Sequence, residues 1–288
     1  MVRRARRASR NLGFMTGMTH RDIVVETLWR VEITRAERPD LDRLARAAGV
    51  SRFHLTRAFS LRTGWSLMAY VRARRLSEAA LQMRAGASVT EAALDAGYDS
   101  VEAFSRAFRS FFGGPPSVLG PALTDDQLQE AIAMTTSTRT LPEPRIVDMP
   151  ARKVHGLSGR YSPADRARIP AQWQRFADGW GEQIGRQQSF GICYEFDEEG
   201  GFAYFCGVAD VADETGLETL HLPAGRYACF DHAGHVSTIS DTWAAIFESW
   251  APQAGNEIGG GPEIEHYSAD FEPEKPGNVA VCIPLKPA

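Results

Sequence analysis

The chain has 288 residues, of which 43% are hydrophobic and 24% charged, so a disordered or fibrous protein is excluded and two domains of ordinary size are allowed. The net charge of −4 conceals an asymmetry: residues 1–120 hold 20 Arg and 11 acidic residues, whereas residues 121–288 hold 12 basic and 25 acidic residues. No run approaches the roughly 20 apolar residues of a membrane-spanning helix, and the N-terminal arginines lack the apolar segment of a secretory signal. We therefore expect a cytoplasmic protein whose basic half meets a polyanion.

The cysteine and histidine spacings do not favour a metal site. All four cysteines lie in apolar runs of the acidic half, without a Cys-x-x-Cys pair, so we expect buried, reduced thiols and no cofactor. His232 and His235 have no third ligand nearby in the sequence, which favours a structural role.

Hydrophobic periodicity predicts an all-α N-terminal region that follows a disordered basic arm over residues 1–18. The predicted helices cover residues 20–36, 41–48, 52–63, 66–85, 89–96 and 101–112. Two helix pairs repeat one pattern, in which a short helix, a glycine turn and a serine N-cap (Ser51 or Ser100) precede a second helix. This pattern is typical of a helix-turn-helix unit, and it occurs twice.

A long helix separates the two units. Its length of about 20 residues corresponds to roughly 30 Å. This is close to the roughly 34–36 Å between successive major-groove faces of one DNA duplex, so both second helices are predicted to reach the same face of DNA. Arg72, Arg74 and Arg75 lie in one turn of this helix, as phosphate contacts or as ordinary surface residues.

The second unit carries the most specific motif. Ala96-Gly97-Tyr98, Phe104-Ser105-Arg106 and Gly113-x-x-Pro116 follow one another in a run that resembles the signature of AraC/XylS-family transcription regulators. The resemblance covers residues 20–120 and implies a DNA-binding domain over residues 19–120, with double-stranded DNA and RNA polymerase as partners. Carried over by position, the base-reading candidates are Arg52, Phe53, Thr56 and Arg57 in the first unit and Val101, Glu102, Ala103, Ser105 and Arg106 in the second. Apolar Val101 and Ala103 favour contacts with thymine methyl groups.

Residues 121–144 are predicted to be a linker. Leu128, Ala131, Ile132 and Met134 are spaced for a short helix that begins near Asp125. Residues 135–138 have the composition of a flexible chain, and the two prolines of 142–144 predict a stiff exit.

The acidic half is predicted to be an α+β domain of two strand-helix-strand-strand repeats. The first repeat has strands near 145–156, 189–196 and 201–208 and a helix at 169–186. The second has strands at 217–233, 262–268 and 279–285 and a helix at 238–250. This order predicts one antiparallel sheet with both helices on one face and a cleft at a pseudo-twofold axis.

Glu265 is the candidate ligand-binding carboxylate of that cleft. It shares a strand face with Tyr267, and a carboxylate among aromatic rings suits an organic cation. Residues 145–288 resemble a GyrI-like effector-binding domain, which implies a cleft glutamate at this position and a small amphipathic or cationic effector. The predicted ligand-binding residues are Glu265, Tyr194, Trp173, Trp180, Tyr204 and Tyr267.

The leading hypothesis is a ligand-responsive transcription regulator that is not an enzyme. One alternative is a GyrI-like hydrolase, with Glu265 as the base and Tyr194 as a proton relay. Another is a constitutive DNA-binding architectural protein whose acidic half binds a second protein.

Overall fold

The computed structural model describes residues 22–34, 39–133, 141–209, 211, 216–254 and 258–287. A helical N-terminal region precedes a C-terminal antiparallel sheet that carries helices, which confirms the predicted fold class. The predicted basic arm lies outside the described residues. Within the described ranges, no helix is both long enough and apolar enough to cross a bilayer.

Six of the seven N-terminal helices in the described part of the chain agree with the predicted ones to within a few residues, and the seventh, Pro116–Leu119, was not predicted. The seven helices are α1 (Ile23–Thr34), α2 (Leu41–Ala48), α3 (Arg52–Thr63), α4 (Leu67–Arg84), α5 (Val89–Asp95), α6 (Val101–Phe112) and α7 (Pro116–Leu119). Local capping explains this agreement, because the hydroxyl oxygens of Ser51 and Ser100 each accept a backbone N–H bond of 3.1 Å. Gly64 and Gly113 end the same two helices with φ of 74° and 84°, a conformation that favours glycine.

Helix α4 joins two small hydrophobic cores. Its N-terminal half, with Tyr70 and Val71, packs into the core of the first unit, and its C-terminal half, from Leu76 to Met83, packs around Phe104 and Phe108 of the second. The 18 residues of α4 span about 27 Å.

Two of the three α4 arginines hold the helical region together. Arg74 donates two hydrogen bonds, of 2.8 and 2.9 Å, to the carboxylate of Glu32. Arg75 donates to the carbonyl oxygens of Ala96 and Gly97 at the turn of the second unit, and its guanidinium lies 5.1 Å from the Tyr98 ring centroid. These two side chains are therefore structural, whereas Arg72 is exposed.

The predicted linker helix is wrong. Only a 3-10 turn, Asp125–Gln127, is present, and Leu128 is already extended. The following backbone bonds to α4 instead of to itself: the Gln129 N–H donates to the Ser77 hydroxyl at 2.9 Å, and the Ile132 N–H donates to the Tyr70 hydroxyl at 3.3 Å. A helix this short has little intrinsic stability, so these tertiary bonds decide the conformation. Met134 and residues 135–138 lie outside the described part.

The C-terminal region forms one eight-stranded antiparallel sheet. Its strands are β1 (Arg145–Met149), β2 (Arg152–Tyr161), β3 (Ser189–Tyr194), β4 (Phe202–Val208), β5 (Glu218–Leu222), β6 (Gly225–His232), β7 (Glu263–Tyr267) and β8 (Val279–Pro284), and its helices are α8 (Ile169–Ile184), α9 (Ile239–Ala245) and α10 (Ala251–Ala254). A π-helical turn, Ile246–Trp250, joins α9 to α10. The strand order β1-β6-β8-β7-β3-β4-β2-β5 has its centre at the β3–β7 pair, so the two predicted repeats are related by a pseudo-twofold at that pair.

The thiol prediction holds for only one of the two cysteine pairs. Cys229 and Cys282 are directly opposite on β6 and β8 and form a disulfide, whereas Cys193 and Cys206 are free and buried. The sequence gives no pairing signal because the two residues are 53 positions apart. His232 bonds Thr242 at 2.7 Å and the His235 carbonyl at 3.0 Å, in keeping with the structural role expected for it.

Candidate functional site

The Glu265 carboxylate lies on the helix-covered face of the sheet, at the pseudo-twofold. It is 7% exposed and accepts hydrogen bonds from three neutral donors. The Tyr204 and Tyr267 hydroxyls donate to Oε2 at 2.7 and 3.0 Å, and the Trp243 indole donates to Oε1 at 2.9 Å. The Trp173 indole in turn donates to the Tyr204 hydroxyl at 2.8 Å. The structure thus brings together four of the six predicted ligand residues around a carboxylate that these bonds orient.

The two phenols are held in their protonated form. Burial raises the pKa of Tyr204 and of Tyr267 well above the ordinary value, and the neighbouring charge of Glu265 raises both further. Both hydroxyls therefore remain donors at neutral pH and orient the carboxylate.

Two residues of this cluster were missed from the sequence. Trp243 was not among the predicted ligand residues. Gly191 lies directly opposite Glu265 in the β3–β7 register, and a Cβ there would stand 2.2 Å from the Tyr204 hydroxyl and 2.6 Å from Glu265 Oε2. A glycine inside a strand, facing the candidate carboxylate, is the signal that could have found it.

The other two predicted ligand residues lie elsewhere. Tyr194 packs with the apolar cluster on the opposite face of the sheet, because it is an odd number of residues from Gly191 along β3. It cannot be a proton relay to Glu265, so that part of the hydrolase hypothesis is corrected. Trp180 stacks on Phe176, two helical turns from Trp173, with ring centroids 6.3 Å apart.

Helix α3, the second helix of the first unit, is docked on this same face. On the first repeat, the Arg166 guanidinium donates to the Ser60 and Leu61 carbonyls at 3.2 and 2.9 Å. The rings of Phe53 and Phe196 meet edge to face with centroids 5.1 Å apart. These contacts hold both ends of α3 against the C-terminal domain.

The second repeat holds the opposite side of α3. His54 Nε2 donates to the Phe247 carbonyl at 2.9 Å, and Arg62 lies 3.3 Å from the Glu248 carboxylate. Hydrophobic residues of the first helical unit and of the sheet form one continuous core with Trp243 and Phe247. Helix α3 is therefore part of a packed interface between the domains.

Arg57 is the centre of that interface. Only 4% exposed, it donates through Nε and Nη2 to Glu263 at 3.3 and 2.5 Å, and Glu263 is 1% exposed. Four aromatic rings surround the guanidinium, with centroids at 4.8 Å (Phe196) and 5.5 Å (Phe202, Trp243 and Phe247). Such a two-bond contact inside an aromatic cage is among the stronger ways to hold a cation.

The electrostatics of the pair follow from this burial. Burial opposes the charge of Arg57, yet its pKa is raised because the carboxylate of Glu263 attracts the cation and accepts its hydrogen bonds, with a smaller contribution from Glu265. Burial raises the pKa of Glu263, and the charge of Arg57 lowers it again. Each charge is tolerated in this apolar setting because the other is present.

The base-reading candidates of the two units have opposite surroundings. In α3, Thr56 and Arg57 are buried, Phe53 is half-buried, and the exposed Arg52 pairs with Glu198 at 3.0 Å. In this arrangement α3 cannot enter a groove, so the expectation that both second helices face one DNA duplex is corrected. In α6, the candidates lie on the open surface: Glu102 and Arg106 are exposed, and Val101, Ala103 and Ser105 are half-buried.

Across the described ranges, no grouping of His, Cys, Asp and Glu is suited to a metal ion.

Comparisons with known proteins match both halves. Residues 142–286 match the GyrI-like small molecule binding domain, and residues 44–120 match a helix-turn-helix domain. The chain is 24% identical to the transcriptional regulator Rob of Salmonella typhimurium over 241 residues, which is 79% of this chain and 83% of Rob. It is 30% identical to the transcriptional regulator BrlR of Pseudomonas aeruginosa over 150 residues, covering 49% of this chain and 54% of BrlR.

The helical half has relatives of its own. It is 33% identical over 101 residues to the regulatory protein SoxS of Escherichia coli, covering 35% of this chain and 94% of SoxS. Both predicted resemblances are thereby confirmed. The chain belongs to the GyrI-like small molecule binding domain family, with a helix-turn-helix domain of the AraC type preceding that domain.

Proposed function

We propose that this protein is a transcription regulator that binds promoter DNA through its helix-turn-helix units and responds to a small cationic or amphipathic effector in the cleft around Glu265. The single observation that carries the proposal is the placement of the Glu265 carboxylate. This carboxylate is buried, oriented by neutral donors and surrounded by aromatic rings, and it lies beside the core on which α3, the helix with the base-reading candidates, is docked. A ligand with different affinities for the docked and undocked arrangements would change DNA affinity.

The docked arrangement is one of the two states that such a response needs, and an arrangement with α3 released is the proposed other. With α3 covered, one unit is available to DNA, through α6. With α3 released, two units are available, separated by α4. Since phosphate and base contacts scale with the number of units engaged, the released state is the tighter DNA binder. The candidates in α3, above all Arg57, contact bases only in that state.

The relatives support regulation rather than hydrolysis. Rob and BrlR are named as transcriptional regulators, and this chain shares with them the regions reported above. Tyr194 is on the wrong face of the sheet to serve Glu265 in a hydrolytic reaction. A cytoplasmic location belongs to the same proposal, and so does a contact with RNA polymerase at the promoter if the protein acts as an activator.

The test is a DNA-binding titration with the full chain. An operator is first selected from random duplexes with the purified protein, and its affinity is then measured by fluorescence anisotropy as benzyltrimethylammonium is added. We expect a change in Kd of about 5-fold or more, within the usual range of coupling between two sites. Benzyl alcohol serves as the neutral control probe.

Two matched variants test whether the change in DNA affinity depends on Glu265. Glu265→Gln should abolish the response to the cation, whereas Glu182→Gln, on the exposed surface of α8, should preserve it. Binding of the cation is measured by calorimetry. The proposal is refuted if operator affinity stays the same once the cation saturates the protein, or if Glu265→Gln responds as strongly as the wild type.

A further inference from the structure

We infer that Glu263 and its aromatic cage form a binding subsite for a planar amidinium or guanidinium cation, and that Arg57 occupies it as a tethered ligand that a free cation of this class displaces. The inference rests on the proposed function, since it adds to the Glu265 site a second cation subsite whose occupation would release α3. The subsite is distinct from the Glu265 carboxylate, whose three hydrogen bonds come from neutral donors of its own domain.

The subsite is built by the C-terminal domain alone. Glu263 comes from β7, Phe196 and Phe202 from the first repeat, and Trp243 and Phe247 from the second. Only the cation comes from the other domain. In the described part of the chain, both hydrogen bonds to the Glu263 carboxylate are donated by Arg57. Without Arg57 the domain would present a buried acceptor inside an aromatic cage, which is the chemistry of a cation receptor.

The geometry selects the class of cation. Two N–H groups of Arg57 meet the two carboxylate oxygens of Glu263, so the head group must be planar and carry two parallel donors. Amidinium and guanidinium ions meet this requirement. A quaternary ammonium or phosphonium ion has no N–H and would leave both oxygens without a donor, and a primary ammonium ion cannot present the flat fork.

An open groove leads to the subsite. A cavity of about 470 Å³ at the domain interface has Arg57 in its wall, next to Phe53, Thr56 and Phe196. The turn between β3 and β4 adds the carboxylates of Asp197, Glu198 and Glu199 to the same wall. Asp197 pairs with Arg160 at 2.5 Å and Glu198 with Arg52 at 3.0 Å. The wall as a whole still carries three carboxylates against the two guanidinium groups of Arg52 and Arg57, which favours the approach of a cation. A cation that enters here meets Arg57 first, and it can take the place of the guanidinium only if α3 moves away.

Displacement has a direct consequence for DNA recognition. Arg57 and Thr56 are base-reading candidates of α3, and the docked helix keeps both buried. A cation bound to Glu263 removes the central contact of the docked arrangement and so favours the released helix. Arg57 then binds either Glu263 or DNA, and the effector shifts the equilibrium between these two states.

The experiment is chemical complementation with benzamidinium in the full-length Arg57→Ala variant. By isothermal calorimetry, we expect the variant to bind benzamidinium at least about tenfold more tightly than the wild type, because no tethered cation competes for the subsite. The double variant Arg57→Ala/Glu263→Gln should lose this gain, and neutral benzamide should not bind to either variant. Equal affinity in wild type and Arg57→Ala, or a gain that survives Glu263→Gln, would overturn the inference.

A second measurement needs no variant and is unaffected if Arg57→Ala folds poorly. Hydrogen–deuterium exchange of the wild type should show faster exchange of α3 at saturating benzamidinium, with α6 unchanged. If benzamidinium binds and alters operator affinity while α3 exchange stays the same, the inference falls and the proposed function stands. If α3 is released but operator affinity stays the same, the subsite stands and the proposed link between release of α3 and DNA affinity falls.

Discussion

Helices α3 and α6 have the same local sequence signals, but α3 is buried at the domain interface whereas α6 is exposed. Each has a serine N-cap, an arginine at the same place in its repeat and a glycine in the left-handed region at its end. Yet Arg57 is buried in the aromatic cage, whereas Arg106 is exposed. The comparison teaches that a helix-turn-helix motif specifies its own fold but not its availability. In this chain the C-terminal domain covers α3 and leaves α6 exposed.

The largest expected contrast is between the two equivalent arginines. Arg57→Ala leaves Glu263 buried without its partner and should lower the free energy of unfolding by about 3–5 kcal/mol. Arg106→Ala removes an exposed side chain and should change it by no more than about 0.5 kcal/mol. Urea unfolding of the two variants, followed by tryptophan fluorescence, measures both. Similar losses in the two variants would show that α3 is not docked in solution.

The support beneath α3 gives the next largest effect. In Gly191→Ala the new Cβ would overlap the Tyr204 hydroxyl and the Glu265 carboxylate, so we expect a loss of about 1–3 kcal/mol, as for other overpacked cores. Gly179→Ala is the matched control, because a Cβ at this position of α8 meets no atom within 4 Å and should be neutral or slightly stabilising. The same urea titration measures both variants. If Gly191→Ala leaves the free energy of unfolding unchanged, the Glu265 cluster is packed more loosely than its distances indicate.

The two N-caps test what the helices share. Ser51→Ala and Ser100→Ala each remove one 3.1 Å hydrogen bond at an exposed helix start, and each should cost about 1 kcal/mol. Near-equal losses are expected despite the different burial of the helix bodies. A loss at Ser51 several times larger than at Ser100 would show that docking, and not the cap, fixes the start of α3.

The sequence predicts the features that local residues determine, and it misses the contacts that distant parts of the chain provide. Caps, glycine turns and periodicity determine helices α1 to α6, and the repeat of strands and helices determines the sheet. Glu265 with Tyr204 and Tyr267 is predictable because alternation and the repeat place them on one face. Burial of Arg57 is not, because its partner is 206 positions away and a solvent-facing arginine has the same local pattern. The short helix after Asp125 fails for the same reason, since its backbone bonds to α4.

The smallest expected effect is the pH dependence contributed by His54, which involves a single proton. Burial against the second repeat lowers the pKa of His54 below its ordinary value of 6.5, and its hydrogen bond to the Phe247 carbonyl opposes this only in part. The released or unfolded helix then binds the proton more readily than the docked one. The contribution of His54 to stability is therefore fully present above pH 6.5 and is lost as the pH falls through the lowered pKa.

His54→Gln isolates this proton from the other buried groups of the interface. Glutamine keeps an N–H donor for the Phe247 carbonyl but does not titrate, so the difference between wild type and variant removes contributions from Glu263, whose raised pKa also affects the acid side. In urea titrations between pH 7.5 and 5.5, the wild type should lose more stability than His54→Gln as the pH falls. Exchange of α3 should rise over the same range while that of α6 stays level. Parallel curves for the two proteins would mean that His54 is equally accessible to protons in both arrangements, and hence that α3 is not held against the π-helical turn in solution.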